Sequence, residues 1–173
     1  LYVGELTEQK GVSYLLRALA RLDSRYRLRV VGDGPRRGDL ESIVANLGVE
    51  DRVTFIGRVP YGEVASEYAA ADVFAHPGVW PEPFSRTVVE AMQAGLPVVS
   101  TAVGGHVDVI DVDELVCPPR DPAAMAAAIN SAMANADEYG ARNREYVLSE
   151  MSPRVITERI VDLYERELAG SQR

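Results

Sequence analysis

The sequence predicts an α/β fold in which helices cover both faces of a parallel sheet. Short apolar runs alternate with amphipathic helical stretches along the whole chain, and glycine-rich segments follow most of the apolar runs. This alternation is typical of parallel sheets, because a parallel neighbour is reached through a long crossover. With 173 residues the chain is long enough for one sizeable core, so we expect one domain over 1–173.

The elements follow from periodicity and from their flanking turn residues. Runs with the length and composition of strands are 2–5, 27–31, 53–56, 73–76, 97–100 and 115–117. Stretches with helical spacing are 12–22, 37–47, 62–70, 84–94, 122–135, 138–149 and 153–168. In such sheets ligands bind at the carboxyl ends of the strands, near the point where the strand order reverses. A ligand site is therefore expected among the loops that follow the strands, which are 7–11, 32–36, 57–61, 77–83 and 101–106.

Composition excludes several classes of partner. The net charge of −8 disfavours nucleic acid and anionic membrane surfaces. No apolar stretch approaches the roughly 20 residues of a membrane helix, so we expect no direct membrane insertion. The only cysteine, Cys117, fits a reducing compartment, and we predict a cytoplasmic location. Because the chain begins inside the apolar run Leu1-Tyr2-Val3, we interpret it as a piece of a longer polypeptide.

Two carboxylates, Glu82 and Glu90, bracket a predicted helix start and are the most informative feature of the chain. Pro83 suits the first helical position and keeps Glu82 extended. The two backbones are then on the order of 12 Å apart, too far for a hydrolytic acid/base pair. Each carboxylate can instead accept hydrogen bonds from a vicinal diol of a sugar. The spacing therefore fits one ligand that contains two sugars, with one sugar held by each glutamate. The alternative is that Glu90 pairs with Arg86 and Glu82 only complements the helix dipole.

Between the glutamates, the free N–H groups near Ser85, Arg86 and Thr87 predict an anion site at the helix N-terminus. The alternative is ordinary capping. Lys10, the only lysine, precedes another predicted helix start. Its positive charge there opposes the positive end of the helix dipole, and a bound anion would offset this repulsion. The alternative is a solvated surface lysine.

The remaining glycine-rich loops give weaker indications. Gly32 and Gly34 form a Gly-x-Gly turn, but the dinucleotide-binding spacing is absent, as is a Walker A loop. The pair Gly104-Gly105 permits close backbone approach to a ligand. His76 and His106 lack metal-ligand spacing, so no metal site is predicted.

The ordered set of motifs resembles the carboxyl-terminal half of the family-4 retaining glycosyltransferases. The matching segments are Tyr2-Val3-Gly4, Lys10-Gly11, Gly32-Asp33-Gly34-Pro35, 53–59, 68–73, 82–90, 94–99, Gly104-Gly105 and 116–122. The resemblance implies the GT-B fold, in which two Rossmann-like domains, each a three-layer α/β/α sandwich, face a cleft. It implies that this chain is the half that binds the nucleotide-diphosphate sugar donor. It also implies that an amino-terminal domain, which binds the acceptor, is missing here.

The resemblance assigns roles by position, without a cofactor or metal. Glu90 holds the ribose, Glu82 faces the transferred sugar, and Lys10 neutralises the departing diphosphate. The remaining donor contacts are backbone amides near Phe84, Ser85 and Arg86 for the diphosphate, the turn Gly57-Arg58-Val59 for the base, and the Gly32 and Gly34 turn.

Two residues depart from the family pattern. Glu5 stands where the family usually has an arginine that binds phosphate, and Ser85 replaces a glycine. Glu5 motivates a second hypothesis, a non-catalytic nucleotide-sugar-binding or regulatory module. A third, a nicotinamide-dependent oxidoreductase, lacks the glycine fingerprint.

The final predicted helix carries apolar residues at near-helical spacing: Val155, Ile156, Ile160, Leu163 and Tyr164. The pattern predicts that most of them pack on this domain. The resemblance implies instead that this helix reaches the other domain, which would leave part of this face exposed.

Overall fold

The computed structural model describes residues 1–170, so the last three residues of the predicted domain 1–173 lie outside the described residues. The strands are Tyr2–Val3 (β1), Leu28–Val31 (β2), Val53–Gly57 (β3), Phe74–His76 (β4), Val98–Thr101 (β5) and Val116–Cys117 (β6). The α-helices are Val12–Leu19 (α1), Arg37–Leu47 (α2), Val64–Ala69 (α3), Arg86–Gln93 (α4), Pro122–Ala134 (α5), Ala136–Glu150 (α6) and Pro153–Gly170 (α7). Short 3₁₀ turns occupy Glu50–Arg52, Tyr61–Glu63, Gly105–Val109 and Asp113–Leu115.

The strands form two parallel ladders that meet at Leu1. One ladder has the order β1-β2-β3 and the other β4-β5-β6. The Leu1 nitrogen donates to the Val73 carbonyl at 2.8 Å, and the Ala75 N–H donates to the Leu1 carbonyl at 2.9 Å. This is parallel pairing, so the strands run β3-β2-β1-β4-β5-β6 across the molecule. The order reverses between β1 and β4, which is where ligands bind in doubly wound sheets.

Helices cover the sheet in two groups, as the alternating pattern predicts. Helix α1 packs on α2 and α5, whereas α4 packs on α6, and both α4 and α5 contact β5. Side chains such as Leu16, Phe74, Val98 and Met125 are almost completely buried between the layers. The predicted α/β sandwich with a parallel sheet is therefore confirmed.

The start of α4 differs from the sequence-based expectation in a way that matters for the site. The helix begins at Arg86, not at Phe84, and Pro83 is not its first residue. Ser85 takes the N-cap position with an extended backbone, φ −101° and ψ 112°. The segment 81–85 is therefore a loop that carries Glu82 past the end of the helix.

The final helix contradicts the expectation that its apolar residues pack on this domain. Leu163 and Tyr164 are 58% and 65% exposed, and Ile156 and Ile160 are also exposed. Only Val155 of the five is partly buried. Within residues 1–170, no helix combines the length and the apolar character that crossing a membrane requires.

Candidate functional site

A pocket of about 220 Å³, here called the switch-point pocket, opens where the strand order reverses. Its lining comes from the ends of β1 and β4, the two loops that follow them, and the first turn of α4. The polar side chains in it include Lys10, His76, Glu82 and Ser85. The fold thus brings the predicted residues Lys10, Glu82, Phe84, Ser85 and Arg86 to one place.

Lys10 and Glu82 form an ion pair inside this pocket, between Nζ and Oε1. The pair joins the two loops at the switch point, which also share a 2.9 Å hydrogen bond from the Val79 N–H to the Gln9 carbonyl. The side chains are 28% and 25% exposed, so a ligand can reach both. The sequence analysis assigned the two residues to different parts of a ligand, whereas in the structure they are bound to each other.

His76 is a pocket residue that the sequence analysis did not select. It is the last residue of β4, and its Nε2 lies 4.0 Å from Glu82 Oε2. Its ring meets the His106 ring edge-on, with centroids 4.4 Å apart. Burial, helped by His106 and Lys10 and opposed by Glu82, lowers the pKa of His76 to about 4. The imidazole is therefore neutral near pH 7. Its position at a strand end beside the switch point was the available sequence signal.

The N-terminus of α4 faces the pocket without a side-chain cap. Ser85 is buried, and its Oγ lies 3.1 Å from Thr87 Oγ1 instead of capping the helix. The first-turn N–H groups and the positive end of the dipole are thus available to an anion. Because the backbone at Ser85 is extended, a serine adopts it without strain, so the replaced glycine does not distort this turn.

Glu90 is held by two tyrosines. Its Oε1 accepts a 3.1 Å hydrogen bond from the Tyr61 hydroxyl, and its Oε2 a 3.0 Å bond from the Tyr68 hydroxyl. Burial, with the neighbouring Glu90 charge, raises the pKa of Tyr68. Within the described residues, Glu90 forms no ion pair with Arg86, so the helix-pairing alternative does not hold in this structure. Tyr61 follows the turn Gly57-Arg58-Val59 closely, which places Glu90 near that turn.

A second pocket, about 380 Å³, lies on the other side of Gly4. Its lining includes Glu5, Gly32, Arg58 and Val59. Glu5 is exposed at its edge and forms no ion pair among residues 1–170. A carboxylate with no cation partner therefore stands where the resemblance led us to expect an arginine.

The predicted glycine turn packs on the chain itself. A Cβ on Gly32 would lie 1.9 Å from the Gly4 carbonyl oxygen, and one on Gly34 would lie 2.6 Å from the Leu6 carbonyl oxygen. The Gly32 N–H also donates to the Gly57 carbonyl at 2.7 Å. These glycines are thus explained by loop packing, and their contact with a donor stays a prediction.

The pair Gly104-Gly105 also approaches protein backbone. The Gly105 N–H donates to the Glu82 carbonyl at 3.1 Å. A Cβ on Gly104, whose φ is +92°, would lie 2.6 Å from the same oxygen, and one on Gly105 would lie 2.4 Å from the Pro83 carbonyl oxygen. The glycine pair therefore fixes the loop that carries Glu82.

A reactive cysteine and a metal centre find little support in the described residues. Cys117 is buried, and burial raises the pKa of its thiol to about 11, which leaves it unreactive. Residues 1–170 contain no cluster of three or more His, Cys, Asp or Glu side chains placed to hold a metal ion.

Comparison with known proteins identifies the family. The family model described as "Glycosyl transferases group 1" matches residues 1–147. The chain belongs to this family. The resemblance inferred from the ordered motifs is confirmed, and the oxidoreductase alternative finds no support.

Two relatives and one solved structure show the extent of the similarity. The chain is 36% identical over 153 residues to an uncharacterized glycosyltransferase of Methanocaldococcus jannaschii, covering 86% of this chain and 38% of that protein. It is 33% identical to a GDP-mannose-dependent alpha-mannosyltransferase of Mycolicibacterium smegmatis, covering 96% and 43%. The crystal structure of Anabaena HepE in complex with UDP and glucose superposes with a TM-score of 0.86 at 25% identity, covering 95% and 47%. The chain therefore spans less than half the length of each of these proteins.

Proposed function

We propose that this chain is the donor-binding half of a retaining glycosyltransferase that moves a hexose from a nucleotide-diphosphate sugar to an acceptor. The observation that carries the proposal is the switch-point pocket, where Lys10, Glu82 and the uncapped start of α4 meet. A site with a cation and free N–H groups suits a diphosphate, and neighbouring carboxylates suit sugar hydroxyls.

In the proposed complex each group takes one part of the donor. The diphosphate lies against the amides of 84–86, Lys10 turns from Glu82 to the diphosphate, and Glu82 accepts from hydroxyls of the transferred sugar. Glu90, oriented by Tyr61 and Tyr68, accepts from the ribose hydroxyls. The turn 57–59 and Gly32 lie beside the base.

The transfer step needs stabilisation of charge on the leaving group. The acceptor oxygen bonds to the anomeric carbon on the face from which the diphosphate leaves. The bond to the diphosphate breaks with its electron pair, and the hydroxyl proton passes to a diphosphate oxygen. Lys10 and the α4 dipole stabilise the growing negative charge without a metal ion. We place this activity in the cytoplasm because the single cysteine suits a reducing compartment.

Calorimetric titration of the chain with UDP-glucose, GDP-mannose and ADP-glucose tests the donor site. We expect one of these to bind, and Lys10→Ala and Glu90→Gln to weaken binding at least about tenfold, as loss of charge-assisted hydrogen bonds implies. Glu145→Gln, an exposed carboxylate on α6, is the matched control. Binding that survives both Lys10→Ala and Glu90→Gln would overturn the site.

The proposal includes a partner domain from the same polypeptide. The exposed apolar side chains of α7, among them Ile160 and Leu163, suit a contact with that domain. The chain alone would then bind donor but transfer nothing. Turnover of UDP-glucose or GDP-mannose to a glycoside by residues 1–173 would contradict this expectation.

A second candidate, a non-catalytic sugar-nucleotide-binding module, is favoured by Glu5. Its exposed carboxylate borders the pocket beside Gly32, which shares Val3 and Gly4 with the switch-point pocket, so its charge opposes a diphosphate bound in that neighbouring pocket. Glu5→Arg separates the two candidates. A large gain in donor affinity on this substitution would favour a non-catalytic module that has lost its phosphate-binding arginine. Unchanged affinity would favour the catalytic half.

A further inference from the structure

A buried pair of histidines borders the switch-point pocket, and the proposed donor contacts do not use it. His76 and His106 are 4% and 0% exposed, and their rings meet edge-on. His76 also lines the pocket, where its Nε2 lies near Glu82. They are the only histidines of the chain, so one of the two lies directly beside the carboxylate that we propose to hold the transferred sugar.

The surrounding residues fix the ring of His76. It packs on His106, whose Nε2 lies 2.9 Å from the Oγ of Ser100, a fully buried residue on the neighbouring strand β5. On another side the loop after β4 lies close, since a Cβ on Gly78 would be 3.0 Å from His76 Cε1. The imidazole therefore keeps its place when a ligand enters the pocket, and any adjustment between the two groups is made by the Glu82 side chain.

The two ring nitrogens of His76 have different surroundings. Among residues 1–170 the buried Nδ1 has no hydrogen-bond partner, whereas Nε2 lies 4.0 Å from Glu82 Oε2. The imidazole is neutral near pH 7, so it carries one proton. A proton on Nδ1 would bury a donor that has no acceptor, whereas a proton on Nε2 faces a carboxylate. The structure therefore favours the Nε2–H tautomer, with a donor just outside hydrogen-bond distance of Glu82.

The proposed donor complex removes the present partner of Glu82. When Lys10 turns to the diphosphate, the carboxylate loses the cation that binds it in the free chain. A partly buried carboxylate without a partner is unfavourable. A rotation of the Glu82 side chain that moves Oε2 about 1 Å closer to His76 Nε2 would give a hydrogen bond of about 3 Å, the usual length of an N–H···O bond. His76 is therefore placed to replace Lys10 as the partner of this carboxylate.

We propose that His76 is a positioning residue that binds the Glu82 carboxylate when Lys10 leaves it for the diphosphate. The Nε2–H of His76 donates to Glu82 Oε2, which leaves Oε1 for the hydroxyls of the transferred sugar. The imidazole acts only as a hydrogen-bond donor and transfers no proton. The inference deepens the proposed function and rests on it for the role of Glu82, but the contact between the two side chains is tested without a donor.

Lys10→Ala imitates the departure of Lys10 in the free chain, and ¹⁵N NMR of the imidazoles reads the result. At pH 7 we expect His76 in the Nε2–H tautomer, with an N–H proton that exchanges slowly with water. Slow exchange should be lost in Lys10→Ala/Glu82→Ala. The imidazole ¹⁵N shifts of His106, the only other histidine, should be the same in both variants. An Nδ1–H tautomer, or exchange that is equally fast with and without Glu82, would overturn the proposal.

The pH titration of the same sample gives a second readout. The pKa of His76 is about 4 in the original chain, where His106 and Lys10 lower it and Glu82 raises it. In Lys10→Ala the pKa should rise by about one pH unit or more, because a cation is lost and the carboxylate approaches. A pKa that stays near 4 would contradict the approach of Glu82.

Calorimetry separates positioning from packing through the preference for a nucleotide sugar over its nucleoside diphosphate. The probes are UDP-glucose with UDP, and GDP-mannose with GDP. His76→Leu keeps an apolar side chain but removes the donor, so the preference should fall at least about fivefold. His76→Gln has an amide N–H that can reach the place of Nε2, so it should keep the preference within about twofold although it does not titrate.

A double-mutant cycle shows whether His76 acts through Glu82. In a Glu82→Ala background, His76→Leu should change the preference by less than about twofold. An undiminished preference in His76→Leu, a His76→Gln variant that behaves like His76→Leu, or a full effect without Glu82 would each overturn the proposal. If no nucleotide sugar binds the original chain, the proposed function fails, whereas the NMR of Lys10→Ala still decides whether His76 binds Glu82.

Discussion

Lys10 and Glu82, 72 residues apart in sequence, form an ion pair at the point where the strand order reverses. In this pair each charge is neutralised by the other, whereas the proposed donor complex assigns the two charges to different parts of the ligand. Donor binding therefore exchanges one partner for another: Lys10 gains the diphosphate, and Glu82 gains the hydroxyls of the sugar. Because the two residues take different parts of the donor, substituting one of them tests the proposed site directly.

Glu82→Gln should separate the two halves of the donor. Without the carboxylate, Lys10 is free to meet a diphosphate, so UDP should bind about fivefold more tightly, a gain of about 1 kcal/mol. The preference of the chain for UDP-glucose over UDP should fall, because the hydroxyls of the sugar lose the carboxylate that accepts their hydrogen bonds. Calorimetry with both ligands measures the ratio, with Glu145→Gln as the control. Weaker binding of UDP to Glu82→Gln would contradict the exchange.

Tyr68→Phe should destabilise the fold by about 1 kcal/mol, because the partly buried hydroxyl that binds Glu90 is lost. Tyr61→Phe removes the other hydroxyl from the same carboxylate, but Tyr61 is 73% exposed, so its effect should stay below about 0.5 kcal/mol. Urea unfolding of both variants gives the comparison. Equal losses of stability in the two variants would contradict the expectation that the Tyr68 hydrogen bond to Glu90 contributes more than the exposed Tyr61 hydrogen bond.

The sequence was sufficient for the fold and for some local features. The apolar runs at β4 and β5 are almost wholly buried, and Asp121 followed by Pro122 correctly marks the start of α5, where the Asp121 side chain accepts from two backbone amides. Such signals are local, because the residues that cause the structure are neighbours in sequence.

The features that the sequence could not predict depend on tertiary packing. The Lys10–Glu82 pair requires two loops to meet across the sheet, and the tyrosine partners of Glu90 require α3 to lie beside α4. The periodicity of α7 correctly indicates an apolar face, but periodicity does not say what covers that face. The start of α4 was misplaced because Pro83 is equally suited to the loop before a helix and to its first turn.

The pH dependence of stability should reveal His76. Its pKa is about 4 in the folded chain against an ordinary 6.5, so the unfolded chain binds more protons between these values. The stabilisation is complete above about pH 6.5 and is lost as the pH falls towards 4, by up to about 3 kcal/mol. His106, whose pKa burial also lowers, acts in the same direction.

His76→Phe keeps an aromatic ring against His106 but removes the titration. The difference in unfolding free energy between the chain and this variant should therefore depend on pH between pH 7.5 and 5, with the original chain losing more stability. Urea titrations at several pH values measure it. Because Glu82 and Lys10 face the imidazole, the same comparison in a Glu82→Gln background checks that the slope belongs to His76. Parallel pH profiles would refute the assignment.

Gly104→Ala should weaken both the fold and the selectivity for the sugar. The added Cβ would lie 2.6 Å from the Glu82 carbonyl oxygen at a φ of +92°, so the loop that carries Glu82 must shift. We expect a loss of about 1–3 kcal/mol in unfolding free energy, since the residue is strained and its neighbour is backbone. The preference for UDP-glucose over UDP should fall as well, because Glu82 moves with its backbone. Gly38→Ala is the matched control: it lies in α2, a Cβ there meets nothing within 4 Å, and alanine should raise stability by up to about 1 kcal/mol. If Gly104→Ala left stability and selectivity unchanged, the glycine pair would not be what fixes Glu82.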